Sequence, residues 1–404
     1  MRLTTVRRAY ALVLALVVLL LGPLGVHANG IGTVFVMNEG DGTVTVLDGV
    51  NHLAVERVRV GAGPRAGAVS TDMRFVWVAN RDGGNLSVLD RTTYTVVAGI
   101  PLGGKPEGVL FDPDGERVYV TDSAGNAVKV VELSSSSVVQ TVPVGKAPIG
   151  IAISPDGAQL AVANPGSNTI SLLTRGALAS VAEVPVGVEP LDVAFAGAAK
   201  LFVTVQGGVA VVDTAQRRIT QVLTSCAGPR EIAVTLDGRD LYVACHDANA
   251  LAIFDTATGN PIKTLPVGRG PTAVAIAEDN RWAFVTNADD GTLTVINTTT
   301  REVKSIAAVG QRPIGVLAAG RPITPVQFRV DVPAVVELPR TGVGRTTEPG
   351  RQLGAKIVAG LGLGLAPVAA GMEWLRRRRM RRLRAPGGAK PGQHGGEPPP
   401  SAIP

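Results

Sequence analysis

Seven prolines, at 64, 106, 148, 190, 229, 271 and 313, recur at nearly even spacing, and the residues behind them carry most of the candidate chemistry. Arg65, Glu107, Ile149, Leu191, Arg230, Thr272 and Ile314 follow them directly. One place further on small residues dominate (Ala66, Gly108, Gly150, Ala273, Gly315), but Asp192 and Glu231 intrude. With His246, these charges could form a funnel that holds a polar ligand or activates a water. Solvated rim charges and salt links would look no different, because no spacing fixes a carboxylate pair or a nucleophile beside a base. Arg65, Glu107, Asp192, Arg230, Glu231 and His246 are therefore candidate ligand-binding residues, and none is assigned a catalytic role.

Redox and metal chemistry have little to build on. Past residue 28 only His52, His246 and His394 remain, and Cys-x-x-Cys-His does not occur. Those counts exclude multi-histidine copper clusters and c-type haem, so no metal or other cofactor is expected. Asp289-Asp290-Gly291 lacks the ligands that would follow in a calcium loop and reads as a turn. The two cysteines are more informative. Cys226 replaces the glycine of a recurring Gly-x-x-Pro element, and Cys245 replaces an asparagine that ends the next apolar run. A hairpin turning near Asp237-Gly238 sets residue 245 opposite about 230, which brings Cys226 to the same rim. An oxidising, exported setting favours a Cys226–Cys245 disulfide; the alternative is two unrelated buried thiols.

These positions belong to a repeat of about 42 residues. A short apolar run ends at Asn38, Asn80, Asp122, Asn164, Val205, Cys245 and Asn287, with spacings of 42, 42, 42, 41, 40 and 42. A second run ends at Asp48, Asp90, Glu132, Thr174, Asp213, Asp255 and Asn297. A third run leads to the Gly-x-x-Pro element, and a fourth leads to turns such as Pro113-Asp114-Gly115 and Pro155-Asp156-Gly157. The Asp-Gly pair closes a hairpin because glycine accepts positive φ and aspartate bonds its own backbone. Asparagine at a strand end is expected to take the left-handed region and start a loop. Proline falls at the first residue of a strand, where no ladder donor is needed. The runs are rich in Val, Ile, Leu and Thr, and no amphipathic helical pattern occurs in 30–320.

Each unit thus predicts four short antiparallel strands, the dimension of one propeller blade. The chain enters with a second strand at Val34 and leaves with a first strand at Pro313 to Ala319, so its two ends can share one blade and remove open edges. The expectation is an all-β, seven-bladed β-propeller over 29–320. An open solenoid is the alternative, but no capping element is visible.

The units resemble the YVTN β-propeller family in Val118-Tyr119-Val120-Thr121, Leu241-Tyr242-Val243-Ala244, Val144-Gly145 and Val267-Gly268. The resemblance spans about 34–320. It implies the propeller fold and, more loosely, a surface or periplasmic location. Relatives include surface-layer proteins, lactonase-like enzymes and propeller parts of redox enzymes, so fold does not assign function. No Trp-Asp dipeptide occurs, unlike WD-repeat propellers.

The ends of the chain differ from its body. Overall net charge is +6, yet residues 1–28 carry +3 and 343–404 carry +8, leaving 29–342 at −5. A nucleic-acid partner is not expected from an acidic body with basic ends. Arg2, Arg7 and Arg8 followed by apolar Ala9 to Leu21 predict a signal peptide over 1–28, with an uncleaved anchor as the alternative. At the other end, Leu338-Pro339-Arg340-Thr341-Gly342 resembles the LPxTG signal of sortase-anchored proteins. It lies in a linker (321–354), ahead of an apolar segment (355–375) and a basic, then Gly/Pro-rich, tail (376–404). The resemblance implies sortase cleavage after Thr341 and linkage to cell-wall peptide. A stop-transfer helix that stays in the membrane is the alternative. Under both, the propeller faces outward. The expected function is a surface-anchored binding or scaffolding module for an extracellular ligand or protein. The alternatives are a lactonase-like hydrolase acting at the rim and a surface-layer component.

Overall fold

The structure is a computed structural model that describes residues 32–224 and 226–320. The expected signal peptide (1–28), the linker with Leu338 to Gly342, the apolar segment (355–375) and the tail lie outside the described residues. Among the described residues, no helix is long and apolar enough to cross a membrane.

The chain begins with β1 (Thr33–Asn38), β2 (Thr43–Asp48) and β3 (Ala54–Arg59). Four strands follow, β4 (Pro64–Val69), β5 (Phe75–Asn80), β6 (Asn85–Asp90) and β7 (Thr95–Pro101), and then β8 (Pro106–Phe111), β9 (Arg117–Asp122), β10 (Ala127–Glu132) and β11 (Ser137–Pro143). Next come β12 (Ile151–Ile153), β13 (Gln159–Asn164), β14 (Thr169–Thr174) and β15 (Ser180–Pro185). The following set is β16 (Val193–Phe195), β17 (Lys200–Val205), β18 (Gly208–Asp213) and β19 (Arg218–Leu223). After it come β20 (Pro229–Val234), β21 (Asp240–Cys245), β22 (Ala250–Asp255) and β23 (Pro261–Pro266). The last are β24 (Pro271–Ile276), β25 (Trp282–Asn287), β26 (Thr292–Asn297), β27 (Glu302–Ala308) and β28 (Pro313–Ala319).

These strands form seven four-stranded antiparallel sheets, the blades of a β-propeller. The first blade takes β28 as its inner strand, with Thr33 opposite Ala319, Phe35 opposite Leu317 and Met37 opposite Gly315. The chain's exit strand thus closes the ring.

Burial follows from each strand's place. The two middle strands of a blade are covered on both faces by neighbouring blades, so β1 (TVFVMN) and β21 (DLYVAC) are almost wholly buried. Phe35 and Met37 of one blade pack with Val76, Val78 and Leu89 of the next. Outer strands such as β3 and β23 are exposed except for one apolar residue each, Val58 and Leu265. Acids that end third strands hold the outer hairpins. Asp48 Oδ1 accepts from the N–H groups of Val50 (2.8 Å) and Asn51 (3.0 Å), and Asp90 does the same for Thr92 and Thr93.

The expected role of the strand-ending asparagines is corrected. The left-handed asparagines are Asn126, Asn168 and Asn249 in the next turns and Asn280 ahead of β25, whereas Asn38, Asn80, Asn164 and Asn287 are buried strand residues whose side chains do the work. Asn38 Nδ2 donates to Thr43 Oγ1 (3.0 Å) and Thr45 Oγ1 (2.9 Å), while its Oδ1 accepts from Gly310 N–H (3.0 Å). Asn80 likewise binds Asn85 and Ser87 and accepts from Gly61 N–H at 3.1 Å. The side chain therefore clamps the loop that enters its blade. A Cβ on Gly61 would stand 2.5 Å from the Asn80 amide, which is why glycine opens the Gly-x-x-Pro element.

Because Asn38 clamps the loop that brings the last strand home, Asn38→Ala is expected to lower unfolding free energy by about 1–3 kcal/mol, the cost of leaving buried partners unpaired. Urea denaturation measures it. An unchanged midpoint would show that the clamp carries no stability.

Candidate functional site

The prolines start inner strands at Pro64, Pro106, Pro229, Pro271 and Pro313, but after Pro148 and Pro190 the strand proper begins three residues later. Where proline opens the strand, register slips behind it. Pro64 pairs with Asn80 but Gly67 with Val78; Pro229 pairs with Cys245 but Ile232 with Val243. The same slip occurs behind Pro106, Pro271 and Pro313. This β-bulge turns residues 65–66, 107–108 and 230–231 into the channel. In the other two blades Gly150 N–H crosses to Leu191 O of the neighbouring inner strand (3.1 Å). A Cβ on Gly150 would stand 2.6 Å from the Asp192 carboxylate, so the position must stay bare.

The six candidate residues line two adjoining cavities at the channel mouth. One, of about 140 Å³, is walled by Arg65, Glu107, Asp192 and Glu231. The other, of about 200 Å³, has Arg65, Arg230, Glu231, His246 and Arg312 on its walls. Arg65 and Glu231 face both.

One side of the mouth is a locked ion network. Buried Glu107 accepts from Arg65 Nε (2.9 Å), Arg81 Nε (2.7 Å) and Ser123 Oγ (3.1 Å). Arg65 also meets Glu39 at 3.5 Å, and Glu39 meets Arg312 at 3.1 Å. Half-buried Arg230 differs, for among the described residues no carboxylate lies within 4 Å of it.

The other side holds an acid pair. Asp192 Oδ2 accepts from Ile232 N–H (3.0 Å), the first ladder residue after Glu231, so one acid is bonded to the bulge that carries the other. Water reaches both, yet protein surrounds them on all sides. Burial pushes Asp192 up to about 6, against the lowering pull of the Ile232 and Val193 N–H groups. Glu231 is raised well above the usual carboxyl range, first by burial and then by the Asp192 charge, with Arg65 pulling the other way. The pair therefore tends to keep a proton that two free carboxylates would release. Such a group can donate a hydrogen bond or shuttle a proton.

His246 follows Cys245 directly. Its N–H donates to Gly228 O (2.9 Å), and its Nδ1 lies 2.9 Å from Asp247 Oδ1. Cys226 and Cys245 are joined in a disulfide, with 5.4 Å between their Cα atoms, and Cys245 stands opposite Pro229 rather than Arg230.

Sequence reasoning missed Glu39, Arg81, Ser123 and Arg312. The first three directly follow strand-ending Asn38, Asn80 and Asp122, as His246 follows Cys245, so the repeat register held the signal. Arg312 directly precedes its proline and has positive φ (50°), as do Ala147 (53°) and Glu189 (54°), where Gly63, Gly228 and Gly270 stand in other blades.

The sequence model of the YNCE-like beta-propeller family matches residues 30–158, and that of the Choice-of-anchor I domain matches 122–270. No curated protein matches. Among solved structures the chain is similar to Kuenenia stuttgartiensis hydrazine synthase, at 21% identity and a TM-score of 0.62 over 69% of this chain and 99% of that one. It is also similar to two proteins provisionally named 6-phosphogluconolactonase. The one from Bacteroides uniformis is 17% identical, with a TM-score of 0.60 over 70% of this chain and 98% of that one. The one from Bacteroides fragilis is 16% identical, with a TM-score of 0.61 over 72% and 99%. At such identities the likeness is one of fold.

The acid pair gives stability a defined pH dependence. Between the ordinary carboxyl range and the raised folded values, the native state binds more protons than the unfolded chain, so stability falls as pH rises through that window. Glu231→Gln is therefore expected to raise the urea midpoint at pH 8 and to do so progressively less toward pH 4.5. An offset that is constant with pH would contradict the raised Glu231.

Proposed function

We propose that this chain is an exported, surface-tethered propeller that binds a small polar ligand at its channel mouth. The carrying observation is the half-buried Arg230, which among the described residues has no carboxylate within 4 Å and shares one cavity with Glu231 and His246. A guanidinium held without a carboxylate presents unused donors to an incoming acceptor. The Glu107 network stiffens the opposite wall, so little ordering remains to be done when a ligand arrives. The apolar N-terminal segment, the LPRTG sequence (Leu338 to Gly342) and the arginine-rich tail support an outward-facing propeller, with sortase and cell-wall peptide as partners at Thr341, or the membrane as partner through 355–375.

A second reading is hydrolytic. The acid pair of Asp192 and Glu231 favours it, because a carboxyl that keeps its proton beside one that can lose it suits general acid–base work on a bound water. The propellers named as lactonases lend this reading support only through their shared fold.

Thermal-shift screening against small organic acids, sugars and lactones separates the two. A ligand that raises the melting temperature of the wild type is expected to lose about tenfold or more in affinity with Arg230→Ala, the loss of a charged hydrogen bond. If no compound shifts the wild type, or Arg230→Ala shifts equally, the binding reading fails. Lactone hydrolysis that disappears in Asp192→Asn would replace it with the enzyme.

Mass spectrometry of wall-released protein tests the tether. The expected product ends at Thr341 and carries wall peptide; an intact chain through Arg384 would overturn sorting.

A further inference from the structure

Four blades secure their entering loop with a polar clamp. Asn38 holds Gly310 N–H and Asn80 holds Gly61 N–H; Asp122 Oδ1 accepts from Lys105 N–H at 2.8 Å. In the blade of β13, Asn164 binds Ser171 Oγ, which receives Gly145 N–H (3.2 Å). In the blade of β25, Asn287 donates to Thr292 and Thr294 and only packs against Gly268, whose added Cβ would stand 2.6 Å from the amide, with no hydrogen bond to the entering loop among the described residues. The blade of β17 has only an apolar contact between Gly187 and Val205. In the blade of β20, both clamp positions are cysteine, and a covalent bond replaces the hydrogen bonds.

That blade is also the one most loaded with site residues. The disulfide joins the start of the Cys226-to-Pro229 segment to the end of β21. Arg230 and Glu231 occupy the bulge that begins at the Pro229–Cys245 pair, and His246 leaves β21 at the next residue. Three of the six mouth residues thus hang on two backbones tied by one bond. The charges facing this bulge come from five neighbouring elements: Asp192 before β16, Arg65 in β4, Glu107 in β8, Asp289 after β25 and Arg312 before β28. Asp192 and Arg65 both act on Glu231 electrostatically. A small shift of the bulge changes every one of those distances.

We infer that the Cys226–Cys245 disulfide is the positioning device of this blade, and that its reduction by a dithiol alters the mouth. The inference rests on reading the mouth as a ligand site. Reduction runs by thiolate attack of the dithiol on one sulfur, which breaks the S–S bond and forms a mixed disulfide. The reagent's second thiolate then closes its own disulfide. Two electrons and two protons pass to the protein and leave thiols on Cys226 and Cys245. Both sulfurs are buried, so the reaction needs local opening of this segment.

The test compares oxidised wild type, wild type treated with dithiothreitol, and Cys226→Gly/Cys245→Asn, which restores the clamp of the other blades. NMR of carboxyl-labelled Glu and Asp follows the acid pair, and imidazole resonances follow His246. Reduction is expected to move the Glu231 midpoint by about half a pH unit, roughly threefold in proton affinity, and to shift His246. The Gly/Asn variant should keep the oxidised signature and ignore dithiothreitol. Coincident titrations and His246 resonances in oxidised and reduced wild type overturn the inference. So does a folded Gly/Asn variant that lacks the oxidised signature, and this comparison decides the matter even if the reduced chain unfolds. If Glu231 titrates as an ordinary carboxyl throughout while His246 still responds to reduction, the positioning stands and the reading of the acid pair falls.

Discussion

The structure depends on one recurring constraint: each blade's inner strand must start at a fixed height beside the second strand, although the loop that delivers it comes from another blade. A buried amide or carboxylate at the end of the second strand meets that need by holding the incoming backbone. The interaction is short-ranged within the fold and long-ranged in sequence only once, where Asn38 holds Gly310 across 272 positions. There it does for ring closure what it does elsewhere for ordinary blade order. A propeller has no terminal cap, so the closing blade has to be as well held as the rest.

From that fixed height the mouth follows. In five blades the strand starts at its proline, bulges at once, and turns two side chains into the channel. Crowding then sorts the side chains. At the deeper position bare residues are required where neighbouring backbone comes close, as at Gly150, and only Asp192 and Glu231 depart from that pattern. Two carboxyls in a place built for hydrogen atoms are desolvated by the same crowding, which is the physical origin of their raised proton affinity. At the outer position there is room for length, and Arg65, Glu107 and Arg230 reach the opening.

Much of this was legible beforehand because the repeat turns sequence position into height. The blade count, the strand pairing and the shared closing blade follow from the spacing of Asn38, Asn80, Asp122 and their successors, since one register serves every unit. The rim residues behind the prolines were legible for the same reason. What escaped was orientation. A strand-ending asparagine carries both a backbone preference and a hydrogen-bonding side chain, and spacing does not reveal which one the fold uses; at Asn38 and Asn80 it uses the side chain. Partnership escaped as well. Glu107 and Arg230 share a class of position, but Glu107 is neutralised by Arg65 and Arg81 whereas Arg230 has no such partner among the described residues, and that difference arises from side chains on other blades.

The blade of β20 brings these threads together. Its neighbour, the blade of β16, has lost the polar clamp, with Val205 against Gly187, and carries Asp192 at the crowded position. Two adjacent blades therefore bear the acids, and neither has a side-chain clamp of the kind at Asn38, Asn80 and Asp122. The two acids share a proton at the bulge that holds Glu231, and the bond from Ile232 N–H to Asp192 ties the same bulge to the neighbouring blade. A hydrogen-bonded clamp can open at the cost of one interaction, about 1 kcal/mol net. A disulfide cannot open without chemistry. The cysteines stand in the blade that carries three of the six mouth residues, and there a covalent bond holds the entering loop where other blades use a hydrogen bond.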